Sequence, residues 1–148
     1  MHKIKFALAA VLVTVGVTAA AAFASTKAST VSLRTTKAGK AVVAANGRTL
    51  YLFTADKGRA SGCYGKCASV WPPLIAAHPT AGRGLRTSML GTTKRRDGKL
   101  QVTYGGHPLY LFAKDTKPGD TRGEGIVHFG GSWWLVSPAG TEITAKPY

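Results

Sequence analysis

The sequence is poor in acid. Six Asp and Glu stand against twenty Lys and Arg in 148 residues, a formal net charge of +14. A balance this basic does not bear on the fold, but it favours salt-screened attraction to anionic polymers or membrane surfaces. Cysteine is scarce too, two in all, and neither lies near the start of the chain, so nothing there could carry a lipid. Beyond the first two dozen residues no amphipathic helical pattern stands out, which leaves a mainly β domain. Ser132 and Ser137 lack the Gly-x-Ser-x-Gly context of a nucleophile elbow. Gly123-Glu124-Gly125 lacks the strand before it and the helix after it that a phosphate-binding glycine loop needs. Haem attachment is set aside as well, because Cys63 and Cys67 are spaced too widely and Ala68 follows where a histidine is required. These absences lean against an enzyme.

What is present begins with a leader. His2, Lys3 and Lys5 form a short basic region, Phe6 to Val17 is almost wholly apolar, and Ala22-Phe23-Ala24 before Ser25 fits a small-x-small cleavage site. Residues 1–24 therefore read as a signal peptide and Ser25 as the mature start. The alternative is an uncleaved anchor, since the apolar run continues to Ala22 and a span takes about 20 residues; Thr14, Gly16 and Thr18 weaken it as a span. Loss of Lys3 and Lys5 leaves 18 Lys and Arg against 6 acids, a charge of +12. Export argues against nucleic acid as a partner. The basic residues are scattered except for Lys94-Arg95-Arg96, which precedes Asp97-Gly98 and reads as a solvated hairpin turn. Wall polymers or acidic lipid head groups are the expected anionic partners. The sequence does not set the oligomeric state.

The mature chain is a duplication. Leu50-Tyr51-Leu52-Phe53-Thr54-Ala55-Asp56 returns 59 positions later as Leu109-Tyr110-Leu111-Phe112-Ala113-Lys114-Asp115. Each copy follows a tight-turn signal, Asn46-Gly47 (type I′) in the first and Gly105-Gly106 in the second, so each unit reads as a β-hairpin whose second strand runs out into an aspartate-bearing loop. Tyr51 and Phe53 point to one face of their strand and Leu50 and Leu52 to the other. A strand with large groups on both faces is covered on both sides, which predicts a small sandwich- or barrel-like, all-β domain. Residues 25–40, rich in Ser, Thr, Ala and Lys, read as a flexible lead-in. The domain follows over 41–148, with repeat one about 41–78 and repeat two about 85–143. Between them Trp71-Pro72-Pro73-Leu74 reads as an extended segment at an edge or across the sheet, because proline cannot donate to a central ladder.

Tyr51-x-Phe53-x-x-Asp56, the run Cys63-x3-Cys67-Ala68-x-x-Trp71-Pro72-Pro73-Leu74, then Gln101-Val102-Thr103-Tyr104-x-Gly106-His107-Pro108-Leu109-Tyr110 and Pro118-Gly119-Asp120 together resemble a bacterial secreted repeat family, also described as predicted lipoproteins with a Yx(FWY)xxD motif. The resemblance covers about Ala41 to Gly140. It implies a secreted or envelope-attached bacterial protein with a tandem repeat and an unassigned biochemical role. Many members of that family are lipidated on a cysteine directly after the leader, and this chain lacks one.

Several residues could carry chemistry. Cys63 and Cys67, in an exported chain with Gly65 between them, favour a disulfide that would stabilise by about 2 kcal/mol on the loop-entropy model. The alternative is a Cys-x3-Cys site for copper or thiol exchange, with Lys66 and Arg59 favouring a thiolate. Asp56 and Asp115 either fix the loops that follow them by accepting backbone N–H groups, or meet across a pseudo-twofold axis as a paired-carboxylate site. Tyr51, Phe53, Tyr110, Phe112, Trp71, Trp133 and Trp134 form either a core or a stacking platform for sugars or a flat cofactor. His107 and His128 could join Asp115, or the two cysteines, in a copper or zinc site, although His78, His107 and His128 each fit a surface role as well. Asp115, Asp120 and Glu124 hint at a calcium loop, but Lys114, Lys117 and Arg122 intrude and the spacing is not that of an EF-hand. The expectation is a secreted, non-enzymatic binding or structural module without a cofactor. Its candidate binding motif is Tyr51, Phe53, Asp56, Trp71, His107, Tyr110, Phe112 and Asp115, and the rival is a metal-binding or thiol-redox protein.

Overall fold

A computed structural model describes residues 29–144. The leader expected over residues 1–24 and the mature start expected at Ser25 lie outside the described residues. Each repeat opens with a hairpin. In the first, β1 (Val31–Thr36) pairs antiparallel with β2 (Gly39–Ala44), Leu33 facing Val42. In the second, β4 (Leu90–Lys94) pairs with β5 (Leu100–Tyr104), Thr92 facing Val102. The flexible lead-in expected over 25–40 is thus corrected from Val31 onward. Its Ser and Thr content suggested loop, but Val31 and Leu33 alternate with polar residues, Val31 is buried, and β2 satisfies the backbone. Residues 25–28 lie outside the described residues.

The turns into the two motif strands differ by one residue. Gly105 and Gly106 both have positive φ and join Tyr104 to His107 of β6 (His107–Pro108), a two-residue type I′ connection. Asn46-Gly47 is not the expected type I′ turn. Gly47 N–H donates to Ala44 O and Ala44 N–H to Arg48 O, and of the pair only Gly47 has positive φ. The connection is a three-residue loop with glycine at the left-handed position, because Ala45 joins the turn.

The motif strands lie side by side at the centre. Tyr51 N–H donates to Tyr110 O and Tyr110 N–H to Tyr51 O, at 2.8 and 3.0 Å, so the repeats meet in antiparallel register at their tyrosines. Each motif strand then pairs outward with the tryptophan-bearing segment of the other repeat. β3 (Tyr51–Phe53) pairs with β8 (Gly131–Leu135), Phe53 facing Trp133, and β7 (Ile126–His128) forms the outer edge. On the other side, Tyr110 faces Pro73, Leu111 N–H donates to Pro72 O and Leu74 N–H to Leu109 O. Pro72 accepts through its carbonyl where no donor is needed, and Val102 N–H donates to Leu74 O, so the segment crosses between the motif strand and β5.

The central strands are covered on both faces. One face carries Tyr51, Phe53, Trp71, Tyr110, Phe112, Trp133 and the two cysteines; the other carries Val42, Leu50, Leu52, Val102, Leu109 and Val136. The strands form three small sheets joined by isolated bridges and do not close into a barrel. A short α-helix, α1 (Lys66–Val70), begins at the end of the disulfide loop and runs on beyond Cys67, and a single 3-10 turn at Thr87–Met89 precedes β4. Among the described residues no helix is long and apolar enough to cross a membrane.

Candidate functional site

The motif residues converge on the shared core. Phe53 stacks on Trp133 (4.1 Å between ring centroids), Trp133 on Trp71 (3.9 Å) and Trp71 on Phe112 (4.2 Å), giving four near-parallel rings in one column. Tyr51 meets Trp71 edge-on and Tyr110 meets Trp133 edge-on. The phenylalanine of each repeat therefore covers the tryptophan of the other. Each such contact adds about 0.5–1.5 kcal/mol beyond burial. All six rings are buried, so they form core and present no outward stacking platform. Trp134 lies on the aliphatic face and is partly exposed.

The polar ends of the motif are exchanged in the same way. Tyr51 donates to Asp115 Oδ2 at 2.6 Å, and Tyr110 donates to Asp56 Oδ2 at 2.8 Å. The second oxygen of each carboxylate holds its own loop: Gly62 N–H donates to Asp56 Oδ1 at 2.7 Å and Arg122 N–H to Asp115 Oδ1 at 3.0 Å. Burial raises both aspartates above the ordinary carboxylate range, against the pull of these hydrogen bonds. Burial, reinforced by the neighbouring carboxylates, also pushes both phenols up. Each carboxylate is thus engaged by a tyrosine and a backbone N–H, and no hydrogen bond joins one carboxylate to the other. Arg95 lies on the side of Asp56, while Asp120 and Arg48 lie on that of Asp115.

One half carries an additional lock. Arg95, only 4% exposed, donates to Ser61 Oγ (2.8 Å), Gln101 Oε1 (2.7 Å) and Cys63 O (2.8 Å). Since Tyr110 donates to Asp56, Ser61 donates in turn to Tyr110, so the guanidinium anchors a chain running Arg95, Ser61, Tyr110, Asp56. Arg95 and Arg96 also sit against the ring of Tyr64. The Lys94-Arg95-Arg96 run is therefore not simply a solvated turn. A buried arginine preceding a hairpin turn has no signature in sequence, and neither does the glutamine that accepts from it.

Cys63 and Cys67 are joined, with Cα atoms 5.2 Å apart, and both are buried. With the sulfurs bonded to one another the pair offers no thiolate to copper or zinc. His107 sits in β6 on the side of Asp56, and the His128 ring lies tilted against that of Phe129 at the β7–β8 turn. Among the described residues no group of three or more His, Cys, Asp or Glu is arranged to hold a metal ion. Asp120 accepts from Thr116 N–H and Lys117 N–H, and Glu124 accepts from Leu135 N–H, so each fixes local backbone.

These features define a two-repeat β protein in which each repeat completes the aromatic core and the carboxylate shell of the other. A family described as a secreted repeat of unknown function matches residues 32–75 and 91–137, and the chain belongs to it. Both matched segments contain one tyrosine, phenylalanine, aspartate and tryptophan of the exchanged set. The description places the protein outside the cytoplasm. No curated protein and no solved structure matches the chain.

Proposed function

We propose that the protein is a non-enzymatic binding module of the bacterial cell envelope that holds anionic envelope polymers through its positive surface. The observation that carries this reading is where the acids go. Asp56, Asp115 and Glu124 are turned to internal hydrogen bonds, and Asp97 and Asp120 are engaged in turns. Every Lys and Arg of the described residues except Arg48 and Arg95 is exposed, yet the one ion pair among them is Arg122–Asp120 at 3.9 Å. The surface thus keeps nearly all of its positive charge for a partner. Co-sedimentation with purified cell wall and with anionic vesicles tests this: binding should fall steeply between low and physiological salt. Binding that is absent or insensitive to salt overturns the proposal.

The observed disulfide favours a second reading, thiol exchange at Cys63 and Cys67. Burial of both sulfurs stands against it, since exchange requires access for an attacking thiolate. Cys63→Ser decides between the two. A structural bond predicts lower thermal stability with unchanged wall binding, whereas a redox role predicts loss of thiol-exchange activity in a protein that still folds.

A further inference from the structure

The two halves are equivalent in register but not in filling. Leu33 faces Val42 as Thr92 faces Val102, which sets Thr36 at the position of Arg95 and Ala41 at that of Gln101. The loops correspond as well: Arg122 and Gly62 each donate a backbone N–H to the aspartate of their own repeat, so Thr121 stands where Ser61 stands. In the second hairpin, Arg95 reaches across to Ser61 and Cys63 and closes the space between hairpin and loop. In the first, Thr36 turns back to Gly39 O and makes no such bridge. The loop on that side, with Lys37 next to Thr36, lines an open cleft of about 280 Å³ formed by Lys37, Gly119, Asp120, Thr121 and Arg122.

We infer that this cleft is the subsite that takes a phosphodiester group of an extended anionic envelope polymer, an inference that rests on the binding role proposed above. Three cations surround it. Lys37 and Arg122 line it, and Arg34 lies along Gly119, close enough that a Cβ there would stand 3.0 Å from its Nε. Asp120 is the single acid in the lining, and its Oδ2 is already engaged by Thr116 N–H, Lys117 N–H and, at 3.9 Å, Arg122. The balance is positive, and guanidinium groups match the geometry of phosphate oxygens. Lys117, exposed, adjoins the cleft through its backbone N–H to Asp120, and exposed Lys40 lies with Arg34 beside a second, smaller cavity.

The test uses the mature protein, soluble poly(glycerol phosphate) as probe, and two double variants with the same change of net charge. Lys37→Gln with Arg122→Gln alters the cleft; Lys66→Gln with Lys99→Gln alters exposed positions of the disulfide loop and of the second hairpin. Arg122 holds Asp115 through its backbone alone, so thermal unfolding should show both variants folded. The cleft variant is expected to lose at least about tenfold in affinity, the scale of one or two charge-assisted contacts, and the control about twofold. Equal losses in both would overturn the subsite and leave a diffuse charge effect. Preference for a polycarboxylate over the polyphosphodiester, or for phosphatidylglycerol vesicles with no effect of the cleft variant, would also overturn it. If the unaltered protein binds no anionic polymer or vesicle at low salt, the binding role itself fails.

Discussion

Trp71 and Trp133 stack face to face, their planes within 1° and their centroids 3.9 Å apart, and each comes from a different repeat. The contact lies at the middle of the four-ring column and ties the two halves into one core. Replacing either tryptophan by alanine should cost about 3–5 kcal/mol, the range for emptying a large buried aromatic site. Chemical denaturation of both variants measures it. A loss near 1 kcal/mol in either would mean the column is not the centre of stability.

The crossed tyrosine–aspartate bonds should be unequal in weight. Asp115 is 1% exposed, whereas Asp56 is only partly buried. Tyr51→Phe strands a fully buried carboxylate and should cost about 2–3 kcal/mol; Tyr110→Phe leaves Asp56 in reach of water and should cost about 1 kcal/mol. A double-mutant cycle of Tyr51→Phe with Asp115→Asn should give a coupling of about 1–3 kcal/mol. Additive losses would show that the two groups do not act together.

The same pairs set a pH dependence. The folded-state pKa values of Tyr51 and Tyr110 are raised, chiefly by burial, above the unfolded value near 10. Above about pH 10 the unfolded chain releases these protons while the folded chain keeps them, so their contribution to stability, complete below that pH, is lost as pH rises further. Tyrosinate absorbance should show these two phenols ionising only together with unfolding. Independent ionisation in the folded protein would refute this. Asp56, Asp115 and Glu124 are raised in the same sense, again by burial first, so their contribution is complete below about pH 4 and declines as pH climbs through their folded values. Asp115→Asn should flatten that decline in a series of melting curves.

Gly123 is held by volume rather than by turn geometry. A Cβ there would stand 2.8 Å from Trp71 Cη2 and 2.9 Å from Tyr51 Cε1, both on rigid buried rings. Gly123→Ala should therefore destabilise by about 1–3 kcal/mol, and Gly98→Ala, where nothing lies within 4 Å but φ is +81°, should cost about 1 kcal/mol through the backbone alone. Comparison of the two midpoints separates crowding from conformational strain. Equal costs would discount the contact with the rings.

The sequence by itself determined the duplication, the two-faced motif strand, the turns at Gly105-Gly106 and Asp97-Gly98, and the closeness of Cys63 and Cys67, because each depends on neighbours within a few residues. It missed β1, where Ser and Thr composition masked a short alternation of Val31 and Leu33, and it misread the Asn46-Gly47 turn, which includes Ala45. What only the tertiary structure decided is which partner each motif residue takes. Tyr51 and Asp56 share a motif, yet each bonds across to the other copy, and a repeat of two equal units is consistent with pairing within or between them. Antiparallel pairing of Tyr51 with Tyr110 resolves that choice. It directs each motif strand toward the opposite tryptophan segment, and so toward the opposite aspartate loop. The symmetry is broken where Arg95 bridges from its hairpin to Ser61 and Cys63, because Thr36, at the matching register of the first hairpin, is too short to make such a bridge and bonds to Gly39 O.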